Sequence, residues 1–206
     1  MKCRIHRGCH EIGGNCIELE SQGKRIVLDI GLPLKGDQSA GLPDISGLQT
    51  PDDSLLAVLI SHPHPDHYGL LEQLSQDVPI YMGEAARNIL NVGATFTRLP
   101  GIGKSEPRHL VDRQPLSFSP FKVTPFRIDH SAYDSYCLLV EADGDRLLYS
   151  GDIRAHGRKS HLFDEMVSAP PANIKVLICE GTQVGRDATH DYPDEHSVAR
   201  AMAEAF

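Results

Sequence analysis

No stretch of this chain approaches the ~18 consecutive apolar residues of a membrane-spanning helix. The opening Met1-Lys2-Cys3-Arg4-Ile5-His6-Arg7 has no apolar core of the kind a secretory signal needs. Cysteine is sparse and unpaired: Cys3, Cys9, Cys16, Cys137 and Cys179 are odd in number and lack metal or redox spacing. These features predict a cytoplasmic protein without disulfides and without a membrane anchor. Cys3, Cys16, Cys137 and Cys179 lie in apolar, strand-like runs and read as small buried hydrophobes. Positive charge is also short, with 20 Lys and Arg against 28 Asp and Glu, a formal net charge of −8. That balance argues against a broad nucleic-acid-coating surface, although bound divalent ions would reverse the charge locally. No Ser-His-Asp or cysteine nucleophile arrangement and no internal repeat is apparent. The loop 95–107 resembles a phosphate-binding loop only superficially, because Arg98 stands where its first glycine belongs.

What is present is an ordinary globular composition, 206 residues with 40% hydrophobic and 23% charged, enough for one domain with a sizeable core. Strand-like runs Cys3–Arg7, Asn15–Glu20 and Arg25–Ile30 open the chain, the last two joined at Ser21–Lys24. Gly31–Thr50 reads as a loop and Leu55–Ile60 as a short buried strand. Leu70, Leu71 and Leu74 share one helical face in Tyr68–Gln76; Pro79–Met82 is strand-like and Glu84–Asn91 helical. Phe121–Ile128, Ser135–Glu141 and Arg146–Ser150 predict further strands, with Asp143-Gly144-Asp145 as a hairpin turn. A short helix His161–Val167, a buried strand Lys175–Cys179 and a terminal helix Pro193–Phe206 follow. Two groups of strands, each followed by helices, predict an α+β protein with packed sheets covered by helices.

The most informative tract is His62-Pro63-His64-Pro65-Asp66-His67, directly after Leu55–Ile60. Imidazole nitrogen and carboxylate oxygen are ligands that zinc and similar divalent ions prefer. Each proline pushes the histidine before it toward extended geometry, and in an extended chain residues two apart point to one side. His62 and His64 are therefore expected to converge, while Asp66 and His67 can aim elsewhere. A His-rich polar turn is the competing reading. Two more segments end strand runs with candidate ligands: Ile128-Asp129-His130-Ser131 and Tyr149-Ser150-Gly151-Asp152.

In this order the motifs resemble the metallo-β-lactamase superfamily, from Glu11-Ile12-Gly13-Gly14-Asn15 through Asp29, the His-rich tract, His130 and Asp152 to Glu180. The resemblance implies an αββα sandwich of two mixed sheets flanked by helices, its final strands either following in a longer protein or missing from a shortened homologue. It also implies a dinuclear metal site. His62, His64 and His130 would hold one ion, Asp66 and His67 the other, and Asp152 would bridge them. Glu11-Ile12-Gly13, Asp129-His130-Ser131 with Asp134-Ser135, and Glu180-Gly181-Thr182 are similar to the β-CASP branch, which contains J-type ribonucleases. On that reading residues 1–185 form the metallo-β-lactamase-like domain, and 186–206 begin a β-CASP-like insertion or form a terminal helix. Family members complete the second metal with a later histidine; His190 and His196 lack that context.

The implied chemistry is hydrolysis by a water activated between two divalent ions, with Asp66 and Asp152 as catalytic carboxylates. Zinc suits the donors best, and manganese or iron would also fit. Arg154 and Arg158, close behind Asp152, could contact phosphate, as could Glu180 contact substrate; an exposed basic turn and a strand-end carboxylate are the bland alternatives. Expected substrates are RNA or single-stranded DNA. The alternatives are a thioester or lactone hydrolase on the same fold, and a non-catalytic metal-binding subunit. An unpaired last strand edge would favour a homodimer.

Overall fold

The computed structural model describes residues 1–34, 41–97, 101–103, 106–185 and 193–206. Arg98, Lys104, Ser105, Arg186 and His190 lie outside the described residues. The first sheet contains β1 (Lys2–Arg7), β2 (Cys16–Ser21), β3 (Lys24–Leu28), β4 (Leu55–Leu59), β5 (Ile80–Gly83) and β6 (Arg108–Leu110), in that spatial order. Its first three strands run antiparallel, and β3 to β6 run parallel. The second sheet is ordered β11 (Val176–Ile178), β10 (Asp145–Tyr149), β9 (Tyr136–Ala142), β8 (Phe121–Arg127), β7 (Leu116–Phe118). There β10 and β11 are parallel and the other pairs antiparallel.

Strand alternation builds the layers. Ile17, Leu19, Ile26, Leu28, Ala57 and Leu59 face Leu138, Val140, Leu147 and Tyr149 of the second sheet in one central core. The intervening residues Val27 and Val58 point outward, into a core with Tyr68, Leu71 and Leu90. On the far side Cys137, Leu139 and Leu148 pack with Phe163 and Met166 of α3 (Ser160–Ser168). Helix, sheet, sheet and helix thus stack as an αββα sandwich, with α1 (Pro65–Tyr68) and α2 (Glu84–Phe96) on the first sheet.

One carboxylate ties the two sheets together. No side chain of its own caps the start of α2, so Asp134, from the loop after β8, accepts from the Ala85 and Ala86 amides at 2.9 and 3.2 Å. Its other oxygen accepts from the buried Tyr136 hydroxyl at 2.7 Å.

Three sequence expectations need correction. The helix over Tyr68–Gln76 breaks after Tyr68, because the Leu70 amide donates to Ile30 O at 3.0 Å instead of continuing the helix. Gly69 permits the close approach, since a Cβ there would run into the Pro65 carbonyl. Only Leu71–Gln73 forms a further turn, of 3-10 type. The strand at Lys175–Cys179 exists as β11, but Val176 and Leu177 are exposed rather than buried. Cys16 and Cys137 are buried, whereas Cys3 and Cys179, on β1 and just after β11, are exposed.

Candidate metal centre

The parallel pairs β3–β4 and β10–β11 aim their C-terminal ends at one edge of the sandwich, and the ligand-type residues follow those ends. His62 and His64 leave β4, His130 follows β8, and Asp152 follows β10. His64 has the extended backbone its proline neighbour imposes, φ −97° and ψ 142°. Gly151 takes φ +56°, where a Cβ would press against Ser61 at 3.1 Å, so a glycine brings the Asp152 segment close to β4.

His62, His64, His130 and Asp152 each offer a ligand atom, and these atoms lie within 4.8 Å of one another. Nε2 of His62 and Nε2 of His130 both approach Nδ1 of His64 at 3.1 Å. A tetrahedral ion with ~2.0–2.1 Å bonds would separate its ligand nitrogens by about 3.3 Å, so the spacing fits a single cation. Ser61 Oγ occupies Nδ1 of His62 at 3.0 Å, which leaves Nε2 for the cluster. Burial and the neighbouring imidazoles hold His62 well below the usual histidine range; burial pushes His130 down to about 4. Burial thus disfavours the protonated imidazoles that would repel a cation here.

A second donor set adjoins the first. Asp152 Oδ2 lies 3.8 Å from His62 Nε2 and 3.6 Å from His130 Nε2, while its Oδ1 lies 3.2 Å from His67 Nε2. Asp66 Oδ2 is 3.8 Å from that same His67 nitrogen. One carboxylate is thereby shared between two groups of donors.

Asp29 orients the second set. It is fully buried at the end of β3 with φ +59°. Its carboxylate accepts from Ser61 N at 2.7 Å, Ser61 Oγ at 2.8 Å, Tyr149 Oη at 2.6 Å and His67 Nδ1 at 2.7 Å. Holding Nδ1 in this way leaves Nε2 of His67 facing Asp152. Burial lowers the His67 imidazole, yet the Asp29 and Asp152 carboxylates beside it raise it to about 10.

The two sets should therefore differ in their response to pH. A histidine must lose its proton before it ligates. An ion entering the His67 set should displace a proton at neutral pH, and its affinity should rise by up to about tenfold per pH unit from about pH 6 to 9. Affinity at the His62-His64-His130 set should stay nearly flat over that window. Titration against a competing chelator at several pH values measures both.

The sites open into a cleft of about 820 Å³ lined by His64, Asp66, His130, Asp152 and Glu180 among others. Glu180 is partly committed, since its Oε1 accepts from the Ile153 amide at 2.8 Å. Arg154 and Arg158 do not line the cleft. The Arg154 guanidinium pairs with Glu195 at 2.8 Å and Asp129 at 3.5 Å, and the exposed Arg158 donates its backbone amide to Glu195. Glu195 opens α4 (Glu195–Ala205), so the basic turn anchors that helix. Among the described residues, the guanidinium in the cleft wall is that of Arg7, which donates to Gly41 O at 2.8 Å. Nothing in the composition of β1 marked it; only the fold brings it there.

A family model described as the β-lactamase superfamily domain matches residues 25–206. Ribonuclease J of Helicobacter pylori is 27% identical over 209 residues, covering 97% of this chain and 30% of that protein. The chain thus spans about a third or less of such a relative. Among solved structures, a protein of unknown function from Enterococcus faecalis superposes with TM-score 0.80 at 20% identity, covering 98% of this chain and 56% of the other. Zinc-bound PqqB from Methylobacterium extorquens superposes with TM-score 0.54 at 16% identity, covering 82% of this chain and 60% of the other. With the αββα sandwich and the His and Asp cluster at its edge, these matches place the chain in the β-lactamase superfamily, and its similarity to ribonuclease J spans nearly its whole length.

Proposed function

We propose that this chain carries the water-activating site of a dinuclear metal-dependent nuclease that cleaves phosphodiester bonds in RNA or single-stranded DNA. The observation that carries this reading is the divided carboxylate of Asp152, one oxygen toward His62 and His130 and the other toward His67. A mononuclear or purely structural site has no need of such a bridge. The relatives named ribonuclease J favour RNA as the substrate.

His62, His64, His130 and Asp152 would hold one ion, and Asp66, His67 and Asp152 the other. When bound, the ions would supply a water of lowered pKa and offset negative charge on the scissile group. Zinc suits the imidazole-rich set. Asp66, partly exposed at the cleft floor, would orient the attacking water. Asp29 acts behind it, holding His67 in the required tautomer. Residues 186–206 would begin a β-CASP-like insertion or form a terminal helix.

The test is cleavage of end-labelled single-stranded RNA and DNA, beside lactone and thioester substrates, with zinc or manganese added. Wild-type protein should cleave a nucleic acid, and Asp66→Asn should lower the rate by on the order of 10²–10³-fold with the fold intact. Equal turnover by Asp66→Asn would remove that residue from the reaction, and turnover confined to lactone or thioester would replace the nuclease reading.

A further inference from the structure

Asp66, His67 and Asp152 contribute Oδ2, Nε2 and Oδ1 around the second position. A fourth polar group stands at the same spot. The Asn15 carboxamide places its Nδ2 2.9 Å from His67 Nε2. Its backbone is fastened to the ligand segment, with Asn15 N donating to Asp66 O at 3.0 Å and Gly31 N donating to Asn15 O at 2.9 Å. Space for the side chain is held open by Gly8, at φ +92°, where an added Cβ would run into the Asn15 carboxamide. Asn15 also lines the metal cleft. Its position is therefore set by two backbone bonds and a glycine cradle.

We propose that Asn15 is a further protein ligand of the second ion, through Oδ1; the proposal rests on the dinuclear reading above. A carboxamide is nearly symmetric in shape, and a half-turn about its last bond exchanges Nδ2 for Oδ1. Either atom can face His67 Nε2, according to whether that nitrogen carries a proton. Facing an ion held by that nitrogen it presents its carbonyl oxygen. The two positions then differ in hardness: the first has three imidazoles and one carboxylate oxygen, the second one imidazole and three oxygens. Oxygen-rich sites favour manganese relative to zinc more than imidazole-rich sites do. The structure thus assigns the first position to zinc and makes the second the one that exchanges with manganese.

Calorimetric titration of the full chain with zinc chloride and with manganese chloride tests this without any substrate. Wild-type protein should take up two equivalents, the second with the smaller zinc-over-manganese preference. Asn15→Ala should keep the first equivalent and weaken the second by about tenfold or more. The retained first equivalent shows that the variant is folded. An unchanged second equivalent in Asn15→Ala would overturn the proposal while leaving the dinuclear reading standing. Should Asn15→Ala fail to fold, the isosteric Asn15→Asp decides: a carboxylate oxygen ligand tightens the second equivalent, and an unchanged or weaker one refutes the assignment. Wild-type protein that takes up one equivalent or none would sink the dinuclear reading itself, and Asn15 with it.

Discussion

Replacing Asp29 by alanine should unfold this domain at ordinary temperatures. The carboxylate is completely buried and accepts from four donors: Ser61 N, Ser61 Oγ, His67 Nδ1 and Tyr149 Oη. Each buried donor left without a partner costs about 1–3 kcal/mol, and more where it carries charge. Four of them approach the ~5–15 kcal/mol that holds a typical domain together. The backbone adds to the loss, because φ +59° is tolerated by Asp and Asn far better than by Ala. Asp29→Asn should therefore be milder, keeping an acceptor and the turn while losing the charge that faces His67. Urea denaturation should find Asp29→Ala unfolded or destabilised by several kcal/mol, with Asp29→Asn between it and wild type. A variant Asp29→Ala as stable as wild type would show that these contacts contribute nothing net.

The second large effect is at Asp152. Its side chain is about a quarter exposed at the cleft floor and supports no core packing, so Asp152→Ala should fold normally. Three imidazoles would remain at the first position and could still hold an ion. The second position would keep only Asp66 and His67 of its acidic and imidazole donors and should empty. Stoichiometry should fall from two equivalents to one, and hydrolysis by on the order of 10²–10³-fold or more. The present charge balance points the same way. Burial raises the Asp152 carboxyl, but the hydrogen bond and charge of His67, with His130 and His64, outweigh it and hold it below the usual carboxylate range. Metal analysis of the purified variant after dialysis measures the change. Two equivalents retained would mean that Asp152 does not bridge.

The reach of the sequence can be judged residue by residue. His62 and His64 were legible because proline geometry is local: the extended backbone at His64 follows from Pro65 alone. The alternation in β3, β4, β9 and β10 likewise carried the layers, since period 2 is a property of each strand by itself. Features that depend on distant partners were not legible. Arg154 and Arg158 lie near Asp152 in sequence, yet Glu195 and Asp129 draw the Arg154 guanidinium out of the cleft. Arg7 reaches the cleft only because β1 pairs beside β2. The leucines of Tyr68–Gln76 do share a helical period, but a tertiary hydrogen bond from Leu70 to Ile30 overrides it. β6 is three residues long and too short to show a pattern. Asn15 was visible as part of Glu11-Ile12-Gly13-Gly14-Asn15, but its neighbour His67 is 52 positions away.

The most direct test is diffraction from crystals grown with zinc, recorded on both sides of the zinc absorption edge. Two anomalous peaks should flank the Asp152 carboxylate about 3.5–4 Å apart, one touching His62, His64 and His130, the other touching Asp66 and His67. Zinc bound only away from these side chains, or no zinc at all at saturating concentration, would contradict the account.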